Sequence, residues 1–139
     1  MIFHIAVCSP DPVLRGRVQR HCMEYYARRA DACIVEQLES TAALLQQEEA
    51  GSRYELYLIE LPATNPCCGL QAAAELRRRG MRAPLAFLAH TTAYAYEAFR
   101  VDAMQYLHIP FRPEQLTALL DRATEPEYGP VIPVATAMG

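Results

Sequence analysis

Five times along this chain of 139 residues, a short apolar run is followed by a helical pattern. The runs occupy residues 2–8, 33–38, 54–59, 84–88 and 104–108. Residues 56–61 and 85–88 are almost continuously apolar, which fits strands covered on both faces. Helical periodicity predicts helices over 12–28, 41–50, 69–79, 93–101 and 113–123. Such alternation requires parallel strands joined by right-handed crossovers, hence a doubly wound α/β sheet. In sheets of this kind function gathers at the carboxyl ends of the strands, which here are residues 8–11, 60–62, 88–91 and 108–110.

The helix ends are marked by residues with the right chemistry. Asp11 with Pro12 supplies an N-cap and a preset first turn, Ser40 or Thr41 caps the second helix, and Pro113-Glu114 opens the fifth. Gly51 and Gly80 suit helix exits. Residues 125–139 change character. Glu-Pro-Glu-Tyr-Gly-Pro reads as a linker, and residues 131–136 have the look of another strand beginning. The expectation is a first domain over 1–124 and, over 125–139, a linker or the start of a missing C-terminal domain.

Composition narrows the function classes. Hydrophobic residues at 52% and charged residues at 21% describe a globular chain rather than a disordered one. A formal charge of -3 gives no global attraction to nucleic acid or anionic membrane, so DNA contact would need a local patch or another domain. All 13 basic residues are arginine, and arginine cannot act as the compact ammonium that some sites require. Residues 1–5 read as a strand rather than a leader, and no apolar run approaches the ~20 residues of a membrane span. With five cysteines, this points to a reducing, cytoplasmic setting with free thiols and no membrane partner. Cys8, Cys22 and Cys33 are expected to be small core hydrophobes.

Several segments together resemble a known family. Ile5-Ala6-Val7-Cys8-Ser9-Pro10-Asp11-Pro12 is similar to the opening of response-regulator receiver domains, where an acidic pair follows strand one. Tyr54-Glu55-Leu56-Tyr57-Leu58-Ile59-Glu60 resembles the third strand, which in that family ends on the phosphate-accepting aspartate. Phe87-Leu88-Ala89-His90 resembles the fourth strand. The segment from Ala103 to Leu116, with Tyr106, Ile109-Pro110, Phe111 and Pro113, resembles the fifth strand and helix. The likeness is nearest to receivers that precede LytTR-type DNA-binding domains. It implies a flavodoxin/CheY-like (βα)5 fold, with a five-stranded parallel sheet in the order 2-1-3-4-5 and helices on both faces.

The same resemblance implies that the family's chemistry is gone. Receivers need a carboxylate nucleophile, acidic Mg²⁺ ligands, a hydroxyl that senses the phosphoryl group and a lysine that pairs with it. Carried over position by position, the acceptor is Glu60, the acidic pair is Ser9 and Pro10 with Asp11 beside it, the hydroxyl position is Ala89 and the lysine position is Ile109. No cofactor is expected, with Mg²⁺ binding lost or weak. Glu60 itself reads either as a solvent-facing strand-end carboxylate or as a built-in mimic of the phosphorylated state; His90 would flank the same pocket. The expected function is a phosphorylation-independent receiver, not an enzyme, that regulates transcription through an attached DNA-binding domain, with a still phosphorylatable receiver as an alternative.

Other candidates are weighed beside it. Tyr94, Tyr96, Phe99, Tyr106 and Phe111 gather around helix four, strand five and helix five, the family's usual homodimer surface, and Tyr106 matches its aromatic switch position. Cys67-Cys68, expected in a lengthened loop after strand three, offers a thiol or metal sensor with His90, His108 or Glu60; no cysteine pairs at zinc spacing accompany it. Arg77-Arg78-Arg79 with Arg82 reads as a solvated helix end that favours the helix dipole, or as a phosphate contact. No glycine-rich cradle and no Ser/His/Asp arrangement suggests a flavin site or a hydrolase.

Overall fold

A computed structural model describes residues 2–124. The expected linker or domain start over 125–139 lies outside the described residues. The element order is β1 (Ile2–Cys8), α1 (Pro12–Arg28), β2 (Ala32–Leu38), α2 (Thr41–Glu49), β3 (Leu56–Leu61), α3 (Pro66–Arg78), β4 (Leu85–Ala89), α4 (Ala95–Arg100), β5 (Gln105–His108) and α5 (Pro113–Thr124). All four strand pairings are parallel, and the strand order is β2-β1-β3-β4-β5. The alternation in the sequence is therefore borne out as a CheY-like sheet.

Two apolar layers enclose the sheet. One packs Leu14, Val18, Cys22 and Tyr26 of α1 and Leu116, Leu119 and Leu120 of α5 against Ile5, Val7, Leu56 and Leu58. The other packs Leu44, Ala73, Leu76 and Ala98 against Ala6, Tyr57, Ile59 and Phe87. The two-residue period of β3 sends Leu56 and Leu58 to one layer and Tyr57, Ile59 and Leu61 to the other, which is why the strand reads as an unbroken apolar run. Cys8 and Cys22 are buried as expected, and Cys33 is half-buried against the first layer. No described helix is long and apolar enough to cross a membrane.

The caps form where the sequence places them. Asp11 Oδ1 accepts from Val13 N at 3.0 Å with Pro12 at the first helical position, and Ser40, rather than Thr41, accepts from Ala43 N at 3.1 Å. Gly51 and Gly80 leave their helices at φ +105° and +95°, values a side chain would strain. One expectation fails here. Helix α3 begins at Pro66, not at Gly69, because Pro66 has no N–H to leave unsatisfied and carries the φ of a first helical turn. Cys67 and Cys68 consequently sit in the first turn of a helix and not in a loop.

The seam between α1 and α5 is polar. Tyr26 Oη meets Thr124 Oγ1 at 2.6 Å, Tyr25 Oη donates to Asp121 Oδ1 at 2.5 Å, and His21 Nε2 lies 2.9 Å from Thr117 Oγ1. Burial, then the neighbouring Arg28 charge, lowers the His21 pKa from its ordinary 6.5. A group depressed in this way contributes stability that is complete above the unfolded value and is lost as pH falls through the folded one. Urea midpoints should therefore drop between about pH 7.5 and about pH 5, and His21→Gln should remove part of the drop. An unchanged pH profile in the variant would remove this seam from the account.

Candidate functional site at the carboxyl ends of the strands

Glu60 stands one residue before the end of β3 and is 5% exposed, so it is not the solvent-facing carboxylate that one reading of the sequence expects. Both carboxylate oxygens are engaged. Oε1 accepts a short hydrogen bond from Ser9 Oγ, and Oε2 lies 2.6 Å from His90 Nε2. The sheet register explains the meeting. Cys8 pairs with Ile59 and Leu61 with Ala89, so Ser9 and His90 each lie one residue beyond their strands, on either side of Glu60. A buried carboxylate requires partners of this kind, since desolvation alone would favour its neutral form.

Ser9 is fully buried and fixed from several directions. Its N–H donates to Leu38 O at 2.9 Å, its Oγ accepts from Asp11 N at 3.0 Å, and its carbonyl accepts from Arg15 Nη1 at 2.7 Å. The order Ser9–Glu60–His90 is not a nucleophilic triad. In such a triad the imidazole lies between hydroxyl and carboxylate and takes the hydroxyl proton. Here the carboxylate lies in the middle and holds the serine as a donor.

The remaining expected positions fall around this group with little polar capacity. Pro10 is exposed, and the Asp11 carboxylate is occupied as the α1 cap. Ala89 is fully buried, and Ile109 turns its side chain into the α1/α5 layer while its N–H donates to Ala89 O at 2.6 Å. The Ile109-Pro110 peptide is cis. The side-chain partner of Glu60 on this flank is thus His90, just beyond β4, and not the residue at the lysine position just beyond β5. Among the described residues no three His, Cys, Asp or Glu side chains converge as a metal site.

A cavity of about 210 Å³ opens beside Glu60, lined by Cys8, Pro10, Ser40, Asn65 and Cys68 among others. Cys68 reaches it, whereas Cys67 points outward and is exposed, so the adjacent pair does not act on the cavity together. The thiol near Cys68 is Cys8, which sequence proximity could not suggest. Burial, then the charges of Cys68 and Glu60, pushes the Cys8 pKa up to about 12 and keeps it a thiol.

Gly69 allows α3 to lie against the strand that carries Glu60. A Cβ there would meet Leu61 Cδ2 at 2.6 Å, the backbone oxygen of Glu60 at 3.0 Å and Ile59 Cγ2 at 3.3 Å. The leucine tip can rotate away, but the strand carbonyl cannot. Gly69→Ala is expected to cost about 1–2 kcal/mol net, overpacking outweighing the better helix propensity. A urea midpoint at or above that of the parent chain would contradict this.

The aromatic group divides in two. Tyr94, Tyr106 and Phe111 are partly buried and packed against the core layers, and Tyr106 Oη donates to Thr91 O. Tyr96 and Phe99 of α4 are 69% and 77% exposed. Beside them a shallow groove of about 340 Å³ runs between α4 and β5, lined by Ala95, Phe99, Met104 and Tyr106.

The arginine cluster departs from the expected solvated helix end. Arg77 is half-buried and donates to the carbonyls of Val101 at 2.9 Å, Met81 at 3.0 Å, Ala83 at 2.9 Å and Asp102 at 3.1 Å. It therefore ties the turn before β4 to the turn before β5. Arg78 pairs with Glu75, and Arg79 reaches Glu75 at 2.7 Å and the buried Glu48 at 3.3 Å.

The sequence matches no protein-family model, and no curated protein matches it. Solved structures do resemble it. The response regulatory domain of mrkE from Klebsiella pneumoniae superposes with a TM-score of 0.75 at 13% identity, covering 87% of this chain and 94% of that one. TrrA of Thermotoga maritima, a response regulator solved in complex with Mg(2+)-BeF, gives 0.72 at 18% identity over 87% and 98% of the two chains. The chemotaxis response regulator CheY4 of Vibrio cholerae gives 0.72 at 18% identity over 88% and 99%. The fold is that of response-regulator receiver domains.

Proposed function

We propose that this chain is a receiver-type regulatory module that acts without being phosphorylated. The observation that carries this is the occupation of both Glu60 oxygens by Ser9 and His90. An acyl phosphate needs a carboxylate oxygen free to attack, a hard cation beside it and a positive charge to receive the product. The residues present do not fit Mg²⁺: Glu60 is held by donors, Asp11 caps a helix, and Ser9 and Pro10 replace the acidic pair. The internal Glu60–His90 contact takes the place of a phosphoryl–lysine contact and sets the site in one state. The alternative of a still phosphorylatable receiver has no support from these contacts. The thiol-sensor alternative has little, because Cys67 faces away and Cys8 is held as a thiol.

Output in this proposal passes through a homodimer formed by α4, β5 and α5, with Tyr96 and Phe99 as its apolar centre. Two large exposed aromatics on a six-residue helix suit burial against a second copy. The dimer would position a LytTR-type DNA-binding domain following residue 124 and so regulate transcription in the cytoplasm. Light scattering after size exclusion should show a dimer whose mass does not change with beryllofluoride and Mg²⁺. Tyr96→Glu with Phe99→Glu should yield a folded monomer with an unchanged circular-dichroism spectrum, since both side chains are exposed and neither supports the fold. A monomeric parent chain, or a dimer indifferent to both substitutions, would rule this surface out.

A further inference from the structure

At the opposite end of the sheet from Glu60, a cavity of about 270 Å³ is lined by Arg77, Arg82, Ala83, Pro84, Asp102, Met104 and Arg122. We infer that this cavity binds a small organic phosphate, its phosphate held by Arg82 and Arg122 and its body resting on Ala83, Pro84 and Met104. The site lies before β4 and β5, where the last turns of α3 and α5 deliver their arginines to one concavity.

The charge balance favours an anion. Three guanidiniums face the cavity with Asp102 as the single carboxylate in its lining. The carboxyl ends of α3 and α5 add about half a negative charge each. Together these do not cancel the arginines, and the cavity stays positive in a chain whose net charge is -3. Burial lowers the Arg77 pKa, with the Asp102 charge opposing the shift and Arg82 adding to it.

The three arginines have different tasks. Arg77 is committed to backbone carbonyls and forms the rigid wall. Arg82 uses Nη1 on Arg77 O and Met81 O, both at 3.2 Å, and Arg122 uses Nη1 on Gln105 Oε1. Among the described residues Nε and Nη2 of Arg82 and Arg122 meet no protein acceptor, and planar pairs of N–H donors match phosphate oxygens. The concave shape and the apolar floor suit a nucleotide-sized molecule better than the convex backbone of duplex DNA.

Isothermal titration of the chain with ADP, inorganic pyrophosphate, adenosine and a short DNA duplex tests this. ADP should bind with 1:1 saturation, pyrophosphate more weakly and adenosine not at all. Arg82→Gln and Arg122→Gln should each weaken ADP binding about tenfold while circular dichroism stays unchanged. Two variants are used because Arg82 also supports the end of α3, whereas Arg122 is exposed on α5. No heat from ADP or pyrophosphate up to about 1 mM, or binding untouched by both substitutions, would overturn the site. Duplex binding that is tighter than ADP and lost in both variants would also overturn it, in favour of a nucleic-acid face.

Discussion

Arg77→Ala is expected to cost about 3–4 kcal/mol, a large share of the ~5–15 kcal/mol that holds a domain of this size together. Its guanidinium donates to the carbonyls of Met81, Ala83, Val101 and Asp102, which belong to two turns about twenty residues apart. Hydrogen bonds from a charged donor contribute about 1.5–3 kcal/mol each, and carbonyls left without a donor keep their desolvation cost. The bonds share one group, so they do not sum. Asp102 sits at φ +57°, a conformation costly for a residue with a side chain, and Arg77 holds it there. Lysine should recover less than half the loss, because one ammonium cannot span both turns. The urea midpoint should fall by roughly 2 M. A loss below about 1 kcal/mol would mean that the turns hold themselves.

Ser9→Ala is the second large effect, expected at about 2–3 kcal/mol. It removes one of the two donors on a carboxylate that is 5% exposed, and it frees Asp11 N–H from its acceptor. His90→Ala should cost less, because the imidazole is 41% exposed and water can replace it. The two losses should couple, since together they leave Glu60 buried with neither partner. Adding Glu60→Leu to Ser9→Ala should restore much of the stability, for the charge that needed the serine is then gone. If Ser9→Ala and the Ser9→Ala/Glu60→Leu pair were equally unstable, the serine would matter for packing and not for the carboxylate.

The parts of the fold that could be read from the sequence are those set by local chemistry. Asp11-Pro12 and Ser40 marked helix starts because their side chains cap their own chain, and Gly51 and Gly80 marked exits because φ is positive there. The continuous apolar runs of β3 and β4 marked strands buried on both faces. The start of α3 departs from the expectation at Gly69, which follows from a lengthened loop after strand three; Pro66, suited to a first helical turn, marks the actual start. The resemblance placed His90 at the Glu60 pocket, but the hydrogen bonds that fill the pocket depend on strand register. Glu60 and His90 are thirty residues apart, and Ser9 and Glu60 fifty-one. Knowing that Leu61 pairs with Ala89 places His90 beside Glu60, but that pairing is a property of the folded sheet. Arg77 was hidden for a similar reason: three consecutive arginines look alike until tertiary structure draws one of them inward.

The proposal of lost phosphoryl chemistry rests on the absence of lysine and on Ser9 and Pro10 standing where the resemblance implies an acidic pair. Geometry adds how the place is filled. A carboxylate one methylene longer than aspartate remains buried because a serine and a histidine from neighbouring strand ends hold it. These contacts engage both carboxylate oxygens, and among the described residues no three His, Cys, Asp or Glu side chains gather as a metal site.

Intact-mass spectrometry of the chain after incubation with acetyl phosphate and Mg²⁺ tests this most directly. The mass should be unchanged, and it should stay unchanged in Ser9→Ala and His90→Ala, because releasing Glu60 does not restore the metal ligands. A phosphoryl increment on the parent chain, mapped by peptide fragmentation to Glu60, would contradict the account.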